Sequence, residues 1–161
     1  MFRMSKMTDY GLVLLTELAR DEGSTRTARE LAEATHVPLP SVSKVLKGLQ
    51  TAGMLVSHRG AMGGYGLARP AAAIPLTQII TALEGPVAIT ECVQHSETNE
   101  AACELESVCR VRGHWRVINQ AIHDALGRLT LADLCAPTPR VERLVGLNLP
   151  ARPATTGGLT S

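Results

Sequence analysis

Three cysteines, Cys92, Cys103 and Cys109, lie in one segment of the chain, with ten residues between the first two and five between the last two. Structural zinc sites normally pair their ligands about two to four residues apart, so these intervals do not match a zinc knuckle or finger. Three thiolates on a loop can instead reach several irons of one cluster, and iron-sulfur chemistry prefers soft sulfur ligands. The alternative is three small apolar side chains that bind nothing.

The charges around these cysteines favour a ligand site. Residues 71–109 contain six Asp or Glu and no Lys or Arg, whereas residues 1–70 contain nine basic and six acidic residues. Neighbouring carboxylates disfavour free thiolates, so a bound metal would have to supply the opposing positive charge. We therefore expect a ligand site here and not a reactive-thiol switch. The fourth cysteine, Cys135, lies well beyond this segment, and we interpret it as structural or incidental.

The composition indicates one helical domain with an extension. The chain has 161 residues, a net charge of +1 and few aromatic residues, so its core must be built from Leu, Val, Ile and Ala, which favours helices. Charged residues near the start interrupt any signal peptide or membrane-spanning core. They are Lys6, Asp9, Glu17 and Arg20. We expect a cytoplasmic protein without a membrane partner, and in that compartment unpaired cysteines bind metals or act in catalysis more often than they form disulfides.

Two helices are predicted before residue 38. Apolar residues recur at helical spacing from Ser5 to about Arg20, and the Ser5 hydroxyl suits the first turn. Thr27 and Glu30 have the spacing of a capping box, which starts a second, short helix. That helix cannot continue through Pro38, because proline lacks an amide hydrogen and pushes the preceding residue out of helical geometry.

A third helix is predicted from Pro40 to the glycine at position 53, with two different faces. Its apolar face consists of Val42, Val45, Leu46 and Leu49. Its polar face carries Ser41, Ser43, Lys44, Lys47 and Gln50. Two helices joined by a tight turn, the second basic on its free face, are typical of a helix-turn-helix that reads DNA.

A hairpin is predicted directly after this helix. Residues 54–59 and 65–70 read as two strands, and the glycine-rich residues 60–64 between them suit a tight turn. A hairpin in this position is a wing, and Arg59 at its tip suits a phosphate or minor-groove contact. The predicted DNA contacts are Ser41, Ser43, Lys44, Lys47 and Arg59.

Several motifs in these elements occur together in one known family. They are Leu31-Ala32-Glu33, residues 42–47, residues 52–55, Arg59-Gly60, Gly63-Gly64-Tyr65 and residues 67–70, followed by Ile79-Ile80, Glu84-Gly85-Pro86, the three cysteines, Trp115 and residues 130–134. On these motifs, residues 1–135 resemble the Rrf-type family of bacterial winged-helix transcription regulators, with its IscR-like and NsrR-like members. Residues 7–10, 42–47 and 90–92 are most similar to regulators of the SUF iron-sulfur assembly operon.

The resemblance implies that the three cysteines hold an iron-sulfur cluster, 2Fe-2S as the first expectation and 4Fe-4S as the alternative, although the first interval is longer than usual in the family. In IscR-like members a histidine three residues after the last cysteine completes the site, but Arg112 stands there and cannot ligate. In NsrR-like members the fourth ligand is an aspartate early in the partner chain's first helix, which matches Asp9. On the residues alone, Asp9 is equally an exposed carboxylate that stabilises its helix. The remaining candidates are His36, His95 and His114.

A further helical stretch follows Cys109. Its apolar residues are alternately four and three positions apart, which is the spacing of a heptad seam. The seam consists of Val111, Trp115, Ile118, Ile122, Ala125 and Leu129. The family resemblance implies that this helix crosses the same helix of a second chain in an antiparallel homodimer. Two-fold symmetry would then place two recognition helices on a pseudo-palindromic operator of double-stranded DNA.

These elements give a mainly α fold with a two-stranded β wing. The predicted divisions are a winged helix-turn-helix (1–70), a linker helix (71–91), a cluster-binding loop (92–109), a long dimerisation helix (110–135) and a proline-rich disordered tail (136–161).

The predicted function is that of an iron-sulfur-sensing, DNA-binding regulator, a repressor of iron-sulfur cluster assembly genes. One alternative is a nitric-oxide-responsive or redox-responsive repressor of the same fold. An alternative of another class is an iron-sulfur or zinc carrier. The sequence contains no phosphate loop, nucleophile elbow or cysteine with a base partner, so we expect neither an enzyme nor a small-molecule substrate.

Overall fold

The structure is a computed structural model that describes residues 4–60, 63–90 and 109–136. It is mainly helical with one two-stranded antiparallel sheet, as predicted. The helices are α1 (Lys6–Ala19), α2 (Ala28–Thr35), α3 (Leu39–Thr51), α4 (Leu76–Glu84), α5 (Arg112–Gly127) and α6 (Leu131–Cys135), with a short 3-10 helix at Ala71–Ala73. The strands are β1 (Leu55–His58) and β2 (Gly64–Leu67). None of the described helices is both long and apolar enough to cross a membrane.

Side-chain caps define where the first two helices begin. The Ser5 hydroxyl accepts hydrogen bonds from the Met7 and Thr8 amides at the start of α1. At α2, the Thr27 hydroxyl accepts from the Glu30 amide while the Glu30 carboxylate accepts from the Thr27 amide, so the predicted capping box is confirmed. Each cap satisfies amides that have no partner inside the helix, at a gain of about 1 kcal/mol.

One apolar core joins the helices that position the candidate site. Helix α1 packs against α2, α3, α4 and α6, and α3 also packs against α4 and β1. The largest buried side chains in this core include Leu14, Leu15, Leu31, Leu46, Leu49, Met54, Ile74, Ile79 and Leu131. Gly11 makes the close approach of α1 and α4 possible, since a Cβ at this position would lie 2.3 Å from Leu83 Cδ1.

The wing packs on the rest of the domain along β2. Its register pairs Leu55 with Leu67 and His58 with Gly64. Arg26 pairs with Tyr65 on the other edge of β2, with backbone N···O distances of 3.0 and 2.8 Å. A Cβ on Gly64 would lie 2.7 Å from the Arg26 backbone, so this glycine permits β2 to approach the segment at Arg26 closely.

The prediction of one long helix over residues 110–135 is wrong. Helix α5 ends at Gly127, and Thr130 starts α6 through a second capping box with Asp133. Between the two helices the chain pairs with the segment before α4: the Leu76 amide donates to the Leu129 carbonyl at 2.8 Å, and the Leu131 amide donates to the Ile74 carbonyl at 2.9 Å. The helix breaks because the cap and the burial of Leu131 in the core together favour a turn there. Residues 4–60, 63–76 and 129–136 therefore form one winged-helix unit.

The predicted linker helix is also shorter than residues 71–91. Helix α4 is preceded by the 3-10 helix and ends at Glu84, where Gly85 adopts a φ of 95°. A positive φ is readily adopted only by glycine, and Pro86 then prevents the helix from resuming. Residues 85–90 therefore continue in non-helical conformation, with Val87 packed against the core.

Candidate nucleic-acid interface and cysteine segment

Helix α3 has one buried and one exposed face, as predicted. Val42, Val45, Leu46 and Leu49 are all buried in the core. On the opposite face Ser43, Lys44 and Lys47 are exposed and Ser41 is half-buried. Within the described part of the chain neither lysine forms an ion pair. Both ammonium groups are therefore available to an anionic partner such as a phosphate backbone.

The turn before α3 sets the angle between the two helices of the helix-turn-helix. His36 ends α2 in the left-handed conformation, with a φ of 57°. Among the residues that the structure describes, it is the one non-glycine residue with a positive φ. Pro38 precedes α3, and Pro40 stands in its first turn, where a missing amide hydrogen costs nothing. His36 thus forms the turn between α2 and α3, and this structural role explains its position without a bound metal.

The wing is linked to the recognition helix α3 by side chains. The Gln50 amide nitrogen donates to the Ser57 hydroxyl at 2.7 Å, which joins the end of α3 to β1. Arg59 is exposed beside Gly60, whose φ is 117°. The predicted basic residues of α3 and the wing therefore belong to one packed unit, although residues 61–62 of the tip lie outside the described residues.

The cysteine segment (residues 92–109) is described only at its last residue. Cys109 is half-buried, and Cys92 and Cys103 lie outside the described residues, so the structure does not test whether the three thiols meet. No group of three His, Cys, Asp or Glu side chains arranged to hold a metal is found within residues 4–60, 63–90 and 109–136. His95 also lies outside these ranges, and His114 is exposed on α5.

The stretch that leads into the cysteine segment is held against the start of α1. Glu84 Oε1 accepts hydrogen bonds from the Ser5 amide at 2.6 Å and from the Thr8 hydroxyl at 2.5 Å. Thr8 is only 1% exposed, and its hydroxyl, followed by Ser5, lowers the pKa of Glu84. The carboxylate is therefore charged at neutral pH and fixes the end of α4 to the first turn of α1.

Sequence reasoning did not identify this role for Glu84, although a signal was present. A carboxylate in the last turn of a helix faces the negative end of the helix dipole, which is unfavourable. A glutamate at the final position of α4 therefore indicates a hydrogen-bonding partner elsewhere in the fold. The partners, Ser5 and Thr8, lie more than 70 residues away in sequence, so the spacing alone could not name them.

Asp9, the candidate fourth ligand, follows Thr8 directly. It is exposed in the first turn of α1, beside the point at which Glu84 is held. On the other side of the same stretch, the Ile89 amide donates to the Asn119 side chain of α5 at 3.2 Å. The described residues that precede the cysteine segment thus contact α1 through Glu84 and α5 through Ile89. By their chemistry, three thiols and one carboxylate are a donor set that fits an iron-sulfur cluster.

Comparison with known proteins places this geometry in context. The family described as Rrf2, iron-dependent transcriptional regulator, matches residues 4–137. The HTH-type transcriptional repressor NsrR of Streptomyces coelicolor is 33% identical over 148 residues, which cover 90% of this chain and 95% of that protein. The structure of CymR, the global cysteine regulator of B. subtilis, matches with a TM-score of 0.65 at 29% identity, covering 84% of this chain and 97% of that one. T. potens IscR matches with a TM-score of 0.61 at 26% identity, covering 83% and 85%.

Proposed function

Because the chain belongs to the Rrf2 family of iron-dependent transcriptional regulators, we propose that it is a homodimeric repressor that senses an iron-sulfur cluster and controls iron-sulfur cluster assembly genes. Membership in the family confirms the resemblance seen in the sequence and makes the protein a DNA-binding transcriptional regulator and not an enzyme. The cluster, the dimer, the operator and the target genes are the parts that we propose.

One observation carries the sensing part of this proposal. The Glu84 carboxylate fixes the end of α4, which precedes the cysteine segment, to the first turn of α1, the turn that also carries Asp9. A change in the order of the cysteine segment therefore acts directly on α1, which packs against both helices of the helix-turn-helix. A carrier protein needs no such connection to an exposed basic helix and a glycine-rich wing.

The proposed ligands are the thiolates of Cys92, Cys103 and Cys109, with Asp9 of the partner chain as the fourth. When bound, an iron-sulfur cluster would supply a link among these side chains that depends on iron supply and redox state. Glu84 and Asn119 hold the stretch that leads into the segment against α1 and α5. A coupling free energy of about 1–3 kcal/mol between the segment and α3 would change DNA affinity about five- to a hundredfold.

The proposal is tested by purifying the protein without oxygen and recording visible absorption and circular dichroism. We expect thiolate-to-iron absorption bands that disappear when iron is chelated. Gel-shift assays on the DNA upstream of its own gene would then compare cluster-loaded and cluster-free protein. A protein that stays colourless after reconstitution with iron and sulfide would refute the cluster proposal but leave the DNA-binding role intact.

Lys47→Ala is expected to weaken DNA binding across sequences, because the exposed Lys47 ammonium on α3 is proposed to contact a phosphate. Each lost phosphate contact reduces the slope of log affinity against log salt by about one. The measurement is a salt titration by fluorescence anisotropy, with Arg116→Ala on the exposed surface of α5 as the matched control. An unchanged salt slope for Lys47→Ala would count against the phosphate contact.

The homodimer is proposed from the apolar face of α5. None of the sixteen residues of α5 is buried within the described chain. On the predicted seam, Ile118 is 43% exposed in the structure. A helix of this length with an uncovered apolar seam is stabilised by a partner, and two-fold pairing presents two copies of α3 to the two halves of a palindromic operator.

Ile118→Asp is expected to raise the dimer dissociation constant on the order of a hundredfold or more, because a carboxylate buried without a partner costs several kcal/mol. Sedimentation velocity across a concentration series measures this shift. The control is Val117→Asp, since Val117 is 70% exposed and lies about 100° around the helix from the seam. If both variants remain dimeric at low concentration, the seam is not the dimer interface.

A second candidate is a nitric-oxide-responsive or redox-responsive repressor of the same fold. It is favoured by the similarity to the repressor NsrR. An oxygen ligand in place of a fourth thiolate would leave a cluster more open to attack. The two candidates are separated by treating cluster-loaded protein with nitric oxide or with an iron chelator and asking which treatment releases operator DNA at the lower dose.

A further inference from the structure

A groove on the surface of the winged-helix unit is not used by the proposed DNA contacts or by the α5 seam. It lies between α1, the end of α2 and α6, and has a volume of about 440 Å³. Two apolar side chains on its walls are partly exposed, Val13 at 38% and Leu134 at 37%. Covering these two side chains with apolar groups would remove aliphatic surface from water, which is favourable.

The chain itself leaves the described structure at this groove. Leu134 and Cys135 form one wall, and Ala136 is the last described residue. The residues that follow contain a short apolar run, Val141–Leu149, between prolines 139 and 150. Apolar residues within the run recur at the spacing of one helix face or close to it; they are Val141, Leu144, Val145, Leu147 and Leu149.

We propose that the run Val141–Leu149 docks into this groove of the same chain and covers Val13 and Leu134. The distance presents no obstacle, since five residues separate Cys135 from Val141 and an extended chain spans about 3.3 Å per residue. The proline-rich composition around the run predicts disorder for the tail as a whole, and a short apolar motif in such a tail orders where it meets a complementary surface. The proposal does not depend on the iron-sulfur cluster.

The charged side chains that line the groove already neutralise each other. Glu17 and Arg20 both line it and form an ion pair at 3.0 Å, and Arg26 contacts the same carboxylate at 2.8 Å. The proposal therefore rests on the apolar contacts with Val13 and Leu134 and on the place where the chain leaves the described structure.

Docking there would act on the helix-turn-helix. Ala34 and Thr35, the last residues of α2, also line the groove. The next residue, His36, makes the left-handed turn that precedes the recognition helix. A docked run would therefore support the end of α2 and restrict motion of the turn, which gives the tail a role in the stability of the DNA-reading surface.

Cys135 provides a reporter for this test, because it is exposed in the wall of the groove. The experiment follows its alkylation by iodoacetamide in the full chain, with peptide mass spectrometry to separate it from the other cysteines. Burial and then the charge of Glu22 raise the pKa of the Cys135 thiol, so all proteins are labelled at one mildly alkaline pH. In the Leu144→Asp variant we expect labelling about tenfold faster, the change for a docked state favoured by about 1.4 kcal/mol.

The matched control is Thr155→Asp, which adds the same charge to the tail outside the apolar run and should leave the rate unchanged. A chain ending at Pro137 should label as fast as Leu144→Asp, with an unchanged circular dichroism spectrum. Equal rates in the full chain, Leu144→Asp and the shortened chain would overturn the proposal. Protection that weakens on dilution would also overturn it, by assigning the groove to the tail of a second copy.

Discussion

Cys109→Ser, purified and reconstituted without oxygen, is expected to lose the visible thiolate-to-iron absorption that we propose for the unaltered protein. It is also expected to lose the five- to hundredfold difference in operator affinity between reconstituted and cluster-free protein, since about 1–3 kcal/mol of coupling disappears with the ligand. The physical reason is that a serine hydroxyl remains protonated at neutral pH and is a poor ligand for iron in a sulfur-rich site. Absorption spectroscopy with iron and sulfide analysis measures the loss of the cluster, and gel shifts measure the loss of the affinity difference on the same sample.

The matched control for this variant is Cys135→Ser. Cys135 lies on α6, 4.0 Å from the Thr16 carbonyl oxygen of α1, and forms part of the winged-helix unit. Its replacement should leave the spectrum and the affinity difference unchanged. A full spectrum in Cys109→Ser would exclude Cys109 as a ligand.

Asp9→Asn in the same assay tests the fourth ligand. We expect this variant to lose its cluster faster than the unaltered protein. An unchanged rate of cluster loss would mean that Asp9 is only a carboxylate that stabilises the start of its helix.

Leu131→Ala is expected to lower the free energy of unfolding by about 2–5 kcal/mol, the range for a leucine truncated inside a packed core. Leu131 is fully buried, although it lies in a helix of only five residues. Its removal leaves a cavity between α6 and the segment at Ile74. A backbone hydrogen bond of 2.9 Å joins these two segments. Urea unfolding followed by circular dichroism measures the change.

Leu134→Ala is the control for this prediction, because Leu134 is in the same helix but partly exposed. Its effect should stay below about 1 kcal/mol, the scale for partial loss of apolar contact. Similar midpoints and slopes for the two variants would mean that α6 is peripheral to the core. A large effect confined to Leu131→Ala would establish that α6 is an integral part of the winged-helix unit.

The first half of the fold could be predicted from local signals. The capping box of Thr27 and Glu30 and the stop at Pro38 act over a few residues, and the apolar face of α3 repeats at the helical period. The break between α5 and α6 was missed because the heptad pattern continues to Leu129. One cause, the capping-box spacing of Thr130 and Asp133, is a local signal that was present in the sequence. The other, the burial of Leu131 beside Ile74, is a contact between distant parts of the chain that no local pattern contains.

The candidate site could likewise be predicted from the sequence only in part. The exposed positions of Ser43, Lys44 and Lys47 follow from helical periodicity, and the structure places all three on the free face of α3. The hydrogen bonds between Glu84 and Thr8 were not foreseen, since they depend on how α4 approaches α1 through Gly11. The meeting of the three cysteines stays a prediction, as two of them lie outside the described residues.

The pairing of residues 74–76 with residues 129–131 has a consequence for synthesis on the ribosome. The winged-helix unit is built from two pieces of chain, and the second piece is made only after α4, the cysteine segment and α5. Domains generally fold as units while the chain emerges, starting from the N-terminal side. A nascent chain that has made the recognition helix and the wing still lacks Leu131 from its core. The DNA-reading surface is therefore completed only after every proposed cluster ligand has been synthesised.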